Sequence, residues 1–110
     1  MSSFLIVVFD GLQPSQVVPE LMPNLSRFAD EGVFFAWNHS IFPSVTRLNA
    51  ATMVTGRLSG GHGLAGNQLV ARDYDSNRVL DAMEPDLARL ADATGKVLLA
   101  PTLADILSTH

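Results

Sequence analysis

Cysteine is absent from the 110 residues, which excludes disulfide bonds, cysteine zinc ligands, a cysteine nucleophile and an iron–sulfur cluster. Basic residues are few, with seven Lys and Arg against eleven Asp and Glu, and no segment concentrates them. The net charge of −4 therefore argues against a reader of duplex nucleic acid. Long apolar runs are also missing, because the stretch Phe4–Phe9 is far too short to cross a membrane. No basic segment or cleavage site accompanies it, so we expect a cytoplasmic protein without a membrane partner.

The composition that is present is typical of a soluble globular chain, with 47% hydrophobic and 16% charged residues. A chain of this length can bury one hydrophobic core but not two independent ones. We therefore expect residues 1–110 to form one domain, or a part of one.

The first third of the chain has the order of a βαβ unit. Phe4–Phe9 is a continuous apolar run without polar alternation, which predicts a strand covered on both faces in a parallel sheet. Pro23–Glu31 has helical spacing, with Gly32 in the position of a left-handed C-terminal cap. Val33–Trp37 then predicts a second strand, parallel to the first.

The remaining chain alternates helical patterns with turns. The predicted elements are a helix from Thr46 to Val54 stopped by Gly56, a glycine-rich loop to Gly66, a short strand from Gln68 to Arg72, a helix from Asp86 to Ala93, an extended Val97–Leu99 and a helix from Thr102 to Thr109. A helix such as the last one normally leads to another strand of an α/β sheet, so we expect the chain to be a fragment.

Two polar residues are predicted where open α/β sheets bind ligands, at the carboxyl ends of the strands. Asp10 directly follows the first strand, and Thr46 begins the helix after the second. A carboxylate is a natural metal ligand, and a hydroxyl at a helix N-terminus lies where phosphate is favoured. Metal coordination by both residues is the simplest way to activate the Thr46 hydroxyl as a nucleophile. Asn49 lies on the same helical face, where its amide can donate to a phosphoryl oxygen.

An ordered set of short motifs over about the first 70 residues resembles one enzyme family. The motifs are Val8-Phe9-Asp10-Gly11-Leu12, Met22-Pro23-Asn24-Leu25, Phe42-Pro43-Ser44-Val45-Thr46, Asn49, Val54-Thr55-Gly56 and His62-Gly63-Leu64-Ala65-Gly66-Asn67. The set resembles the nucleotide pyrophosphatase/phosphodiesterase branch of the alkaline phosphatase superfamily. The resemblance implies an alkaline-phosphatase-like α/β fold and a two-zinc hydrolase of phosphoric diesters or pyrophosphates. It also implies that Asp10 ligates one zinc, that Thr46 is the nucleophile and ligates the other, and that Asn49 stabilises the phosphoryl group in a reaction through phosphothreonine.

The sequence departs from the family in its set of zinc ligands. In family members the remaining ligands lie in a later part of the fold, which residues 1–110 do not reach. Two ligands are too few for two zinc ions. We therefore expect an N-terminal fragment that is inactive by itself and self-associates through uncovered apolar surface. The alternative is a stand-alone, non-catalytic module for phosphate binding or assembly. The substrate is expected to be a small phosphate ester or nucleotide-like molecule, which the sequence does not specify further.

Two other features have competing explanations. His62 is a potential zinc ligand, but its glycine-rich loop favours a residue that fixes loop shape. Five oxygen-bearing side chains have the spacing of a calcium loop, namely Asp73, Asp75, Asn77, Asp81 and Glu84. Arg78 replaces the glycine that such a loop needs, and Pro85 prevents a normal exiting helix. A solvated acidic loop is therefore the prediction.

Overall fold

The computed structural model describes residues 5–109. The chain divides into two units, of which the first ends at His39 and the second begins at Ser40. The first unit contains a 3-10 turn and one helix, and the second contains four helices and a two-stranded sheet. In chain order the elements are the 3-10 turn Pro14–Gln16, α1 (Pro23–Glu31), α2 (Thr46–Thr55), α3 (Ser59–His62), β1 (Gln68–Leu69), β2 (Leu80–Asp81), α4 (Asp86–Thr94) and α5 (Leu103–Ser108). This mixture is compatible with a fragment of an α/β fold.

The helices form where local sequence signals place them. Helix α1 has the predicted bounds, and a proline in its first turn is preorganised for the helical φ. Helix α2 begins at Thr46 and ends at Gly56, whose φ of 63° allows its N–H to donate to Thr52 O at 2.8 Å. At ten residues, α2 is the longest helix in the described part of the chain, and none there could cross a membrane.

Two glycine predictions are wrong in detail. Gly32 does not form a left-handed cap, since its φ is −111°. Its lack of a side chain matters for another reason, because a Cβ there would lie 3.1 Å from Phe28 O. The glycine-rich segment after Gly56 is not loop throughout, since Ser59–His62 forms one helical turn capped by Gly63 at a φ of 83°.

The predicted parallel strands of the first unit are not formed. Residues 5–9 and Val33–Trp37 are irregular and exposed, while Phe4 lies outside the described residues. A strand needs the backbone groups of a neighbour, and neither segment pairs with another within residues 5–39. Strong β-propensity alone therefore does not produce a strand here.

The sheet that does form lies in the second unit and is antiparallel. Gln68 pairs with Asp81, and Leu69 pairs with Leu80. The predicted strand from Gln68 to Arg72 is thus shortened to two residues, and β2 was not predicted because two residues carry no periodic pattern. The segment Val97–Leu99 is bent rather than a strand.

The core of the second unit is small and lies between α2 and the sheet. Leu48 and Leu80 are fully buried, and a cluster joins Ala51 of α2, Leu64 and Ala82. Leu69 and Leu98 pack against that cluster from its edge. This core holds the helix that begins at Thr46.

A reciprocal cap begins α5. The Thr102 hydroxyl accepts from Asp105 N–H at 3.2 Å, and the Asp105 carboxylate accepts from the Thr102 N–H at 2.7 Å and hydroxyl at 2.8 Å. These hydrogen bonds, the one from the Thr102 backbone above all, lower the pKa of Asp105 below its ordinary value of 3.8. The ionised carboxylate therefore stabilises the start of α5.

We predict that this cap weakens in acid. Because the pKa of Asp105 is lower in the folded chain than in the unfolded one, its stabilisation is complete above about pH 4 and is lost as the pH falls through the folded value. In amide NMR, the Thr102 N–H should shift as Asp105 protonates. Asp105→Asn should remove this titration, and an identical titration in the variant would contradict the role of Asp105.

Candidate functional site

Asp10 lies in a tight turn of the first unit. Leu12 N–H donates to Phe9 O at 3.3 Å, and Gly11 between them has a φ of 77°, a conformation that favours glycine. The side chain of Asp10 is exposed. The Asp-Gly pair after the apolar run thus forms a turn.

Thr46 lies at the start of α2 in the second unit. It is the first helical residue, is exposed, and follows Val45, whose side chain cannot accept a hydrogen bond from the first turn. Backbone N–H groups of a first helical turn have no partner inside the helix, and they favour a nearby anion. Asp10 and Thr46 belong to different units, so their approach to one metal stays a prediction.

Asn49 fixes the chain that leads into Thr46. Its Oδ1 accepts from Ile41 N–H at 3.1 Å, and its Nδ2 donates to Val45 O at 3.1 Å. These bonds hold residues 41–45 against the first turn of α2. The Asn49 amide still has a second N–H on Nδ2, so its predicted role toward a phosphoryl oxygen is not tested by this arrangement.

Arg47 is a neighbour of Thr46 that the sequence analysis did not single out. Its Nη1 lies 3.5 Å from Asn67 Oδ1 in an exposed contact. Arg47 makes no ion pair with a carboxylate among residues 5–109. An arginine directly after a threonine at a helix start is the signal that could have identified it.

His62 is fully buried and joins three parts of the second unit. Its Nδ1 accepts from Leu64 N–H at 3.2 Å, so the ring hydrogen lies on Nε2, which contacts Thr52 Oγ1 of α2 at 3.1 Å. Its backbone oxygen accepts from Leu99 N–H at 3.0 Å. Both ring nitrogens are therefore in use, and His62 has the structural role that its loop predicted.

The family model for type I phosphodiesterase / nucleotide pyrophosphatase matches residues 4–104. The chain belongs to this family. A search of curated proteins found no match, and a search of solved structures found none either. The match includes the positions of Asp10, Thr46, Asn49 and His62 and extends through most of both units.

This phosphodiesterase-family chain does not assemble a metal centre from its described residues alone. Within residues 5–109, no three His, Cys, Asp or Glu side chains lie close enough together to hold an ion. The segment 73–84, which has the spacing of a calcium loop, makes contacts with Asp86 of α4. Arg78 pairs with Asp86 at 2.7 Å, and Asp86 also accepts from Asp81 N–H at 3.0 Å. Arg78 and the Asp81 backbone therefore connect this loop to α4.

We predict that the Thr52–His62 contact stabilises the second unit. Thr52→Val keeps the side-chain shape but leaves the buried His62 Nε2–H without a partner, which should lower the free energy of unfolding by about 1–3 kcal/mol. Urea denaturation measures this change. Thr109→Val, at the exposed end of α5, should stay within about 0.5 kcal/mol of the parent chain. Equal effects of the two variants would show that the Thr52–His62 contact contributes nothing specific.

Proposed function

We propose that this chain forms the N-terminal part of a metal-dependent hydrolase of phosphoric diesters or pyrophosphates, with Thr46 as the nucleophile. The observation that carries the proposal is the family match over residues 4–104. The exposed position of Thr46 in the first turn of α2 supports it, since a helix N-terminus favours a phosphoryl group. The substrate class is a small phosphate ester or a nucleotide-like molecule.

The proposed chemistry proceeds in two displacements. Thr46 Oγ1 forms a bond to phosphorus as the bond between phosphorus and the leaving-group oxygen breaks, and the hydroxyl proton is released. Water then attacks the phosphothreonine, which returns the Thr46 hydroxyl and yields the phosphate product. The second N–H of Asn49 Nδ2 donates to an oxygen of the phosphoryl group as negative charge develops. Asn49 also positions Thr46 through its bond to Val45 O.

Zinc is the proposed cofactor of the complete enzyme. It would supply charge stabilisation and make the Thr46 hydroxyl more acidic. Asp10 and Thr46 offer two oxygen ligands, whereas a catalytic zinc usually has about three protein ligands. The described residues therefore do not fit a whole zinc site, and further ligands must be added before this chain can act. We accordingly propose that the isolated 110-residue chain is inactive.

The alkaline-phosphatase-like fold with a parallel sheet is also a proposal. Residues 5–9 and Val33–Trp37 are apolar, β-favouring and exposed. Such segments are suited to the interior of a parallel sheet whose faces are covered by helices. In that arrangement Asp10 would lie at the carboxyl end of the first strand, where the family places its metal ligand.

We predict that Thr46→Ala abolishes turnover in the complete enzyme, by on the order of 10³-fold or more, since it removes the nucleophile. Hydrolysis of bis(para-nitrophenyl) phosphate at saturating zinc measures this effect. Thr46→Ser, which keeps a hydroxyl, is the matched control and should retain measurable activity. Asp10→Asn should weaken zinc binding, so that excess zinc restores part of its turnover. Near-normal turnover by Thr46→Ala would exclude the covalent mechanism.

The isolated chain is also proposed to self-associate. Large apolar side chains of the first unit are exposed, among them Phe34, Phe35 and Trp37, which are 61%, 75% and 87% exposed. Apolar surface of this extent favours association with a second copy.

Sedimentation equilibrium over a wide concentration range tests this prediction. The parent chain should form dimers or larger species, and Phe34→Ser/Trp37→Ser should shift the equilibrium toward monomer. Arg27→Ser/Arg57→Ser, at two exposed polar positions, should leave association unchanged. A parent chain that is monomeric at every concentration would instead favour the stand-alone module.

A further inference from the structure

We propose that the second unit binds a small organic anion with an apolar body in a cavity between the sheet and α4. The cavity has a volume of about 350 Å³. Its walls come from the end of β1, from α4 and from the segment after α4. This inference does not depend on the proposed hydrolase, because none of the candidate catalytic residues lines the cavity.

The apolar part of the cavity fixes the size of the ligand body. Leu69, Leu90, Val97 and Leu99 form its main apolar walls. A cavity of roughly 150 Å³ admits a benzene ring, so this one accommodates about two fused rings or a short branched chain. Small-molecule sites are typically apolar cavities of this size with a few polar groups at defined places.

Two cations supply the polar recognition. One is Arg72, which follows β1, and the other is Lys96, which follows α4. Neither makes an ion pair with another described residue. Asp73 also lines the cavity, which leaves one excess positive charge there. In a chain whose net charge is −4, two unpaired cations beside an apolar cavity favour a ligand that carries an anionic group.

Hydrogen bonds to the backbone and close packing hold the walls of the cavity in place without a ligand. The Thr94 hydroxyl contacts Leu90 O and Lys96 O, each at 2.8 Å, which fixes the turn that carries Lys96. On the other side, Leu99 N–H donates to His62 O. Gly63 allows Leu99 to approach closely, since a Cβ there would lie 2.8 Å from Leu99 Cγ. The cavity is therefore part of the fold around His62 rather than a gap between loose segments.

Amide NMR of the full chain titrated with naphthalene sulfonate tests the proposal, because this anion has two fused rings and is inert to hydrolysis. Shifts should appear at Leu69–Arg72 and at Lys96–Leu99. Arg72→Gln/Lys96→Gln should raise the dissociation constant about 5-fold, the loss expected for two solvent-accessible ion pairs. The matched control Arg27→Gln/Arg57→Gln removes two exposed cations outside the cavity and should have little effect.

Naphthol, which has the same rings without the charge, separates charge recognition from apolar binding. Its weaker binding should be the same in the parent chain and in Arg72→Gln/Lys96→Gln, and added salt should weaken the sulfonate alone. The salt comparison uses only the parent chain, so it stays decisive if the double variant does not fold. Shifts confined to residues 5–9 and 34–37, or equal binding of both probes, would overturn the proposal. Cavity amides that shift with protein concentration and not with the probe would also overturn it.

Discussion

The hydrogen bonds of the buried His62 determine how the second unit is put together. A buried imidazole is tolerated only when its polar atoms have partners, and here Thr52 and Leu64 provide them. The Leu99 N–H extends the same connection to the segment after α4 through the His62 backbone. One residue thus links the helix that starts at Thr46, the glycine-rich segment and one wall of the cavity. Gly63 is part of the same arrangement, since it both turns the chain and allows Leu99 to approach.

Local signals predicted the helices, and non-local pairing explains what the sequence could not predict. Helix α2 could be placed because its start and its cap are both encoded within the short segment Thr46–Gly56. A strand depends on a partner that the sequence does not identify, so the apolar Val33–Trp37 predicted a strand that is not formed. Leu80 shows the converse, since it is fully buried in a two-residue strand without periodic pattern. The exposure of Val33–Trp37 and the burial of Leu80 both depend on contacts across a whole unit, which the local sequence does not show.

The candidate site also combines local features, which the sequence predicts, with long-range contacts, which it does not. Thr46 and Asp10 could be recognised from the sequence because a turn and a helix start are local features. Thr46 begins α2 as predicted, whereas the predicted strand before Asp10 is not formed. For Arg47, the place directly after Thr46 is a local signal, but its contact with Asn67 could not be predicted because the two residues are 20 positions apart in the chain. The proposed metal centre would need contacts at longer range still, since no three His, Cys, Asp or Glu side chains within residues 5–109 lie close enough together to hold an ion.

The placement of the basic residues is compatible with the two anion sites proposed for this acidic chain. Three of its basic residues, Arg27, Arg78 and Arg89, are paired with carboxylates, and the four others all lie in the second unit without an ion pair among residues 5–109. Salt screens exposed charges over about 8 Å at physiological ionic strength. Carboxylates farther than this from a site therefore have little influence on it, although they contribute to the net charge of −4. What an approaching anion experiences is the nearest unpaired cation. Arg47 beside Thr46 does not line the cavity, so Arg47 and the pair Arg72 and Lys96 are separate positive sites.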